Sequence, residues 1–175
     1  MNKLDILTFP DPRLRKKAQP IERFDENLKD MAKKMLHTMY ADKGIGLAAT
    51  QVNYHERLIV IDVSENQDEP IYIVNPSYEV LDSSPESSKE GCLSIPTFQQ
   101  EVLRAKKIEL SYQDLDGNLH KLTAEGLFGY CIQHEIDHLN GITFLKRADR
   151  YHLEQAKKEL KKLKRARKRN ETTSN

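Results

Sequence analysis

The segment His134-Glu135-Ile136-Asp137-His138 constrains the fold of this chain more than any other, because its spacing brings two imidazoles together on a helix. Histidines four residues apart lie on one face of an α-helix, where both can bind the same metal ion. Glu135 between them lies close enough to act as general base for a water on that metal. A solvated helix surface could present the same residues, but the apolar residues on both sides favour a metal site.

A third metal ligand has to come from outside this helix. The best candidate is Cys92 in the segment Glu90-Gly91-Cys92-Leu93-Ser94, which predicts a strand or a turn. Two histidines and one cysteine would leave a fourth coordination position for water, as in catalytic rather than structural sites. Taken alone, Cys92 could equally be a small buried hydrophobic residue.

Residues 44–51, Gly-Ile-Gly-Leu-Ala-Ala-Thr-Gln, form a third notable segment. It lacks the Lys-Ser/Thr pair of a P-loop and does not follow a strand, so it does not predict phosphate binding. Its small residues let the backbone approach a ligand closely, and Gln51 supplies an amide donor that could polarise a carbonyl. The segment could also be a structural turn.

The pattern of hydrophobic and turn residues predicts an α+β fold. We expect antiparallel or mixed strands around a central metal-binding helix, followed by a C-terminal helix, in a single domain over residues 1–175 with a frayed tail at 170–175. Pro76 is expected to end the second strand. In chain order, the predicted elements are an extended arm (4–24), a helix from Asp25 to Tyr40, strands at 57–63 and 71–75, a Ser-rich loop at 82–89, strands at 98–104, 106–113 and 118–123, and helices at 124–140 and 149–169.

The net charge of +1 is unevenly distributed. Residues 145–175 carry +8 and residues 1–144 carry −7. The basic run at 164–169 is typical of a nucleic-acid-binding surface, but also of a solvated helix end. The start of the chain lacks the apolar core of a signal peptide, and the two cysteines have no CxxC spacing. We therefore expect a cytoplasmic protein that binds neither a membrane nor DNA.

Together, the three segments resemble the peptide deformylases. The resemblance rests on residues 44–51, on Glu90-Gly91-Cys92-Leu93-Ser94 and on Gln133 to Leu139, and residues 10–14 are similar to the N-terminal arm of that family. It covers nearly the whole chain and is closest to the bacterial form. The resemblance implies a metal-dependent hydrolase that removes the N-formyl group from the initiator formyl-methionine of nascent polypeptides and releases formate.

The resemblance also implies roles for individual residues. Glu135 would be the general base and acid, and Gln51 with the Leu93 N–H would stabilise the oxyanion. Gln99 departs from the Arg that bacterial relatives often carry near the site entrance, and Ser88 replaces an apolar residue near the methionine pocket. The metal would be held by Cys92, His134 and His138. The substrate would be contacted by Gly44, Ile45, Gly46, Leu127, Tyr130 and Cys131.

The resemblance to bacterial deformylases implies one Fe²⁺ ion in the cell. A Cys-His-His ligand set also suits Zn²⁺, Ni²⁺ and Co²⁺, so purified protein could hold any of these metals. The basic C-terminal helix would bring the enzyme to the ribosome, where its substrate emerges.

Two other functions are consistent with parts of the sequence. A zinc endopeptidase would need a further ligand after the helix, but Phe144 stands where metzincins carry their third His, and only Glu154 and Glu159 could serve as a gluzincin ligand. An RNA-binding protein would use the basic tail alone. Digestion of an unformylated peptide would identify the first, and salt-dependent binding to ribosomes would support the second.

Overall fold

A five-stranded antiparallel sheet, in which each strand pairs with the next one in the chain, has a helix packed on each face. This architecture is seen in a computed structural model that describes residues 1–147 and 150–173. It confirms the predicted α+β class. The elements are α1 (Glu26–Ala41), β1 (Gly46–Ala48), β2 (Leu58–Ile61), β3 (Ile71–Cys92), β4 (Ile95–Gln113), β5 (Leu119–Glu125), α2 (Gly126–Leu139) and α3 (Arg150–Thr173), with short 3-10 helices at Pro12–Arg15, Ala49–Val52 and Phe144–Arg147.

The strand β2 explains why the sheet has two covered faces. Its run Leu-Ile-Val-Ile is fully buried, and successive side chains of a strand point to opposite faces. Leu58 and Val60 pack in the cluster that contains α1, whereas Ile59 and Ile61 pack in the cluster that contains α2. The sheet therefore holds α2 in the interior of the domain.

The two predicted helices around this sheet are confirmed. The Asp25 side chain accepts a hydrogen bond from the Leu28 N–H at 3.1 Å and caps α1. In α2, the predicted core stripe is buried against the sheet, and the neighbouring face carries the metal motif. The stripe consists of Ile132, Ile136 and Leu139.

The predicted end of the second strand at Pro76 and the predicted Ser-rich loop at 82–89 are both wrong. A single long strand, β3, passes through them and pairs with β4 down to Cys92. The pairing register shifts between Val74 and Ser77 and again before Pro85, so both prolines lie at irregular positions where a missing N–H is tolerated. Strands predicted at 98–104 and 106–113 are likewise one strand, β4.

The C-terminal helix α3 is longer than predicted. It continues to Thr173 because no Gly or Pro interrupts its Lys-, Arg- and Glu-rich sequence. Residues 170–173, predicted as a frayed tail, therefore belong to the helix, whereas 149, 174 and 175 lie outside the described residues, as do the side chains of Leu153 and Ala156. Leu160 packs against the small cluster that contains Phe144. Among the described residues, no helix is long and apolar enough to cross a membrane.

Candidate active site

Cys92, His134 and His138 meet at one point between β3 and α2. The Sγ of Cys92 lies 3.2 Å from Nε2 of His138, and the Nε2 atoms of the two histidines are 3.1 Å apart. Cys92 is the last residue of β3, and a two-residue turn leads from it into β4. The structure thus brings together the three residues that the sequence analysis named as metal ligands.

The donor set fits a divalent metal ion. All three ligand atoms lie within 4.8 Å of one another. A tetrahedral ion with bonds of 2.0–2.3 Å would separate its ligand atoms by about 3.3–3.7 Å, which is close to the spacing here. Burial and nearby positive groups lower the pKa of His138 well below its ordinary value, which favours the neutral imidazole that metals bind.

The orientation of His134 is set by a carboxylate behind it. Its Nδ1 donates to Oε1 of Glu90 at 2.8 Å, so that Nε2 is directed towards Cys92 and His138. Burial opposes ionisation of Glu90, but hydrogen bonds from Arg104 and His134 outweigh it and lower the pKa of this carboxyl to about 2. This charged acceptor therefore holds the His134 ring with Nδ1 towards Glu90 and Nε2 towards the other two side chains.

A buried ion network extends from Glu90 to the helix. Arg104 on β4 donates two hydrogen bonds to Glu90, at 2.7 and 2.8 Å, and one to Asp137 at 2.7 Å. All three side chains are at most 8% exposed. Arg104 thus connects two buried carboxylates next to the cluster of candidate metal ligands.

Local patterns in the sequence do not reveal this network. Glu90 and Asp137 lie inside the quoted motifs, and acidic residues in segments expected to be buried need a cationic partner. That rule predicts that a basic residue pairs with them. It does not predict that the residue is Arg104, because Arg104 lies on β4, outside the segments that contain Glu90 and Asp137.

Glu135 lies beside the metal-binding cluster with one oxygen uncommitted. Its Oε1 is 3.8 Å from Nε2 of His134, whereas its buried Oε2 has no hydrogen-bond partner among the described residues. Burial raises the pKa of Glu135 to about 7, although the charge on His134 opposes this shift. A buried carboxylate with a free acceptor atom is suited to take up a proton.

Gln51 is held in a fixed orientation by its two ends. Its Oε1 accepts from the Ala48 N–H at 2.9 Å, and its Nε2 donates to Oγ of Ser94 at 3.0 Å and lies 3.5 Å from Sγ of Cys92. The amide N–H groups therefore point into the corner where the metal-binding side chains meet. Leu93 follows Cys92 in the turn and lines the same cleft.

An open cleft of about 1020 Å³ leads to this corner. Ile45 and Leu127 stand at its mouth with 42% and 55% of their surfaces exposed. A Cβ on Gly46 would lie 2.8 Å from Sγ of Cys131, so only glycine allows β1 to pass so close to α2. Ser88 and Gln99 line the cleft. So do all residues predicted to contact the substrate, namely Gly44, Ile45, Gly46, Leu127, Tyr130 and Cys131.

The ligands that a zinc endopeptidase would require are used elsewhere. Phe144 is buried and its ring lies 5.9 Å from that of His134, so it forms part of the wall behind the site. On α3, Glu154 and Glu159 are exposed and pair with lysines of the same helix. Among the described residues, the cluster with metal-ligand geometry is the one formed with Cys92.

A buried carboxylate beside a thiol and two imidazoles, on the wall of an open cleft, is the combination of groups that metal-dependent hydrolases use. The sequence model of the polypeptide deformylase family matches residues 3–154. Peptide deformylases of Hahella chejuensis and Azotobacter vinelandii are 51% and 48% identical to this chain, over 81% and 91% of its length and 84% and 95% of theirs. The crystal structure of a peptide deformylase from Legionella pneumophila has a TM-score of 0.90 at 41% identity, and the match covers 96% of this chain and 99% of that one. The chain therefore belongs to the polypeptide deformylase family.

Replacing Arg104 with Leu should lower the free energy of unfolding by about 3–5 kcal/mol, because buried Glu90 would lose the guanidinium that pairs with it and Asp137 would lose one charged partner. Chemical denaturation of the metal-free protein would measure this loss. Arg13→Leu is the matched control, since Arg13 forms a similar pair with Asp11 at 2.8 Å on the surface. The control should change stability far less, and equal losses in the two variants would contradict the prediction.

Proposed function

We propose that the buried cluster around Glu135 is the catalytic centre of a peptide deformylase and that residues 1–175 form one such domain. As a member of its family, the chain is a metal-dependent hydrolase that removes the N-formyl group from formyl-methionine on nascent polypeptides and releases formate. One observation carries the proposal for the centre: Glu135 lines the cleft next to three converging candidate metal ligands, and its Oε2 has no hydrogen-bond partner among the described residues.

The family uses a single divalent metal ion, and we propose that Cys92, His134 and His138 hold it. In the cell we propose Fe²⁺, although the donor set also suits Zn²⁺, Ni²⁺ and Co²⁺. When bound, the ion supplies a Lewis acid that lowers the pKa of water and polarises the formyl oxygen. Glu90 accepts from Nδ1 of His134 and thereby leaves Nε2 to face the metal position.

Glu135 would move the protons of the reaction. Its free carboxylate oxygen accepts a proton as water attacks the formyl carbon, and the same carboxyl then returns a proton to the departing amine. The nearly complete burial of Glu135 limits exchange of this proton with bulk solvent. The position of Glu135 between two ligand residues keeps the carboxyl beside the attacked carbon.

Gln51 and the Leu93 N–H would stabilise the oxyanion. The hydrogen bonds of Gln51 with Ala48 and Ser94 hold its amide in place before the substrate arrives, so no reorganisation is needed as charge develops. The same nitrogen also donates to Sγ of Cys92 at 3.5 Å, and the incoming formyl oxygen would replace this sulfur as acceptor. The chain thus offers one side-chain donor and one backbone donor.

The methionine side chain would enter the cleft between Ile45 and Leu127. Both side chains are aliphatic and partly exposed, and burying a methionine against them contributes roughly 1.5–3 kcal/mol. Tyr130 and Cys131 would form the wall beyond them, with Tyr130 fixed by a 2.7 Å hydrogen bond to Glu86. An apolar wall of this kind favours formyl-Met over formyl-Asp, because the carboxylate of Asp would lose its hydration there without gaining a partner.

We also propose that the enzyme works in the cytoplasm and meets its substrate at the ribosome. Leu160 anchors the first half of α3 on β4, whereas beyond Leu163 the described side chains of the helix are exposed. The run at 164–169 carries five Lys and Arg in six residues and buries little apolar surface. Such a segment is suited to phosphate groups or to an acidic ribosomal surface.

Formate release from formyl-Met-Ala-Ser tests the function. The wild-type enzyme should release formate, and Glu135→Gln should retain its metal but lose about 10²–10⁴-fold in rate, as is typical when a general base is removed. Metal content would be measured on anaerobically purified protein, which also identifies the ion. Near-normal formate release by the metal-loaded variant would exclude Glu135, and cleavage within an unformylated peptide would favour an endopeptidase.

Cys92→Ala and Cys131→Ala form a matched pair of variants. Cys92→Ala should be purified without metal and without activity, because a two-histidine site is incomplete. Cys131→Ala should keep the metal, since this buried thiol lies at the cleft wall next to Gly46. Elemental analysis of both proteins decides the assignment, which is wrong if Cys131→Ala is the variant that lacks metal.

Truncation after Leu163 tests the role of the helix end. The truncated enzyme should bind ribosomes more weakly than the full-length enzyme. Its affinity should also depend less on salt concentration, because it makes fewer phosphate contacts. Co-sedimentation with ribosomes at several salt concentrations measures both effects. Equal binding by the full-length and truncated proteins would show that residues 164–175 are a solvated helix end.

A further inference from the structure

A second groove, of about 710 Å³, runs between α3 and the end of the hairpin formed by β3 and β4. It is continuous with the active-site cleft, because Lys89, Phe98 and Gln99 line both. A peptide that leaves the cleft past these three residues enters this groove directly. The floor and walls combine the hairpin with one face of α3.

The groove is strongly basic. Among the described residues, four of its five cations have no carboxylate within salt-bridge distance. Each of its two acidic residues has a hydrogen-bond or ion-pair partner. Glu159 pairs with Lys162 at 3.5 Å, and Glu101 accepts a hydrogen bond from Ser87 at 3.2 Å. The uncommitted cations are Lys89, Lys158, Lys161 and Arg165.

We propose that this groove is an extended substrate site that binds acidic side chains of the formylated peptide, in the residues that follow those held in the cleft. The inference rests on the proposed deformylase function of the cleft and adds a preference to it. Lys89 lies at the junction of cleft and groove, and the helix cations lie further along. Alternate side chains of an extended peptide lie on the same side, about 6.6 Å apart. Lys158, Lys161 and Arg165 are three and four residues apart on α3, or about 4.5 and 6 Å along its axis, so alternate acidic residues can meet successive cations.

The observations favour a peptide over RNA as the occupant of this groove. The groove opens from a cleft that receives a peptide, and its cations come from two elements that face each other across it. Of the basic run at 164–169, Arg165 lines the groove. The other described side chains of the run are exposed and do not line it. The groove therefore extends the path of the peptide chain.

The test compares three peptides that share formyl-Met-Ala-Ser and continue with four Glu, four Ser or four Lys. Exposed ion pairs each change an equilibrium by about 1.4- to 5-fold, so the Glu tail should raise kcat/KM over the Ser tail by about 3- to 30-fold at low salt. The gain should appear mainly in KM and fall below about 2-fold at 0.5 M NaCl. The Lys tail should be the poorest substrate.

Lys158→Glu and Lys157→Glu are matched variants, because these neighbours carry the same charge on the same helix but only Lys158 lines the groove. Lys158→Glu should reduce the Glu-to-Ser ratio to about one or below, and Lys157→Glu should retain the wild-type ratio. Each ratio is measured within one protein, so a change in folding affects both of its rates equally. Equal ratios in the two variants, or equal rates for all three tails, would overturn the proposal.

Binding of dye-labelled peptides, followed by fluorescence anisotropy, repeats the comparison without turnover. Weaker binding of the Glu-tailed peptide by Lys158→Glu than by Lys157→Glu supports the groove, whether or not formate is released. Failure of the wild-type enzyme to release formate from formyl-Met-Ala-Ser would overturn the deformylase function. A single-stranded RNA oligonucleotide serves as competitor. Tight RNA binding that is lost in Lys158→Glu, together with no preference among peptide tails, would overturn the peptide site in favour of RNA.

Discussion

The buried ion network of Glu90, Arg104 and Asp137 is the interaction on which the rest of the site depends. It joins the end of β3, the middle of β4 and the helix α2, which are the elements that carry or support the candidate metal ligands. Ionised side chains at this depth are costly unless each is paired, and here the guanidinium satisfies both carboxylates. The same contacts fix the tautomer of His134, so the electrostatics of the core and the chemistry of the cleft rest on one arginine.

The candidate ligands named from the sequence converge in the structure, and they could be named because the patterns that point to them are local. His134 and His138 are related by one helical turn, and Cys92 with Gln51 lies in short segments whose residue types suggested their roles. Arg104 could not be found in this way, since its partners lie 14 and 33 residues away. Side-chain pairing across strands depends on register, which local patterns do not specify.

The fold was predicted in its helices and its buried strand, where hydrophobic periodicity is strong. It was not predicted for β3, where Pro76, Pro85 and a polar Ser-rich segment all favour a loop. Strand formation there depends on the partner β4, because intrinsic strand preference is weak compared with pairing and burial. The part of β3 that leads to Cys92 was therefore not predicted, because its residues are typical of turns.

The long ladder between β3 and β4 has a consequence for the geometry of the thiol. Side chains alternate between the faces of a sheet, so a slip of one residue in this pairing would turn Cys92 away from the helix. The irregular positions near Pro76 and Pro85 interrupt the repeat and make slipped pairings unequal to the native one. Pro76 and Pro85, which predicted a break in the strand, thus help to fix its register. The position of the Cys92 thiol at one end of the hairpin depends on residues far along the same strand.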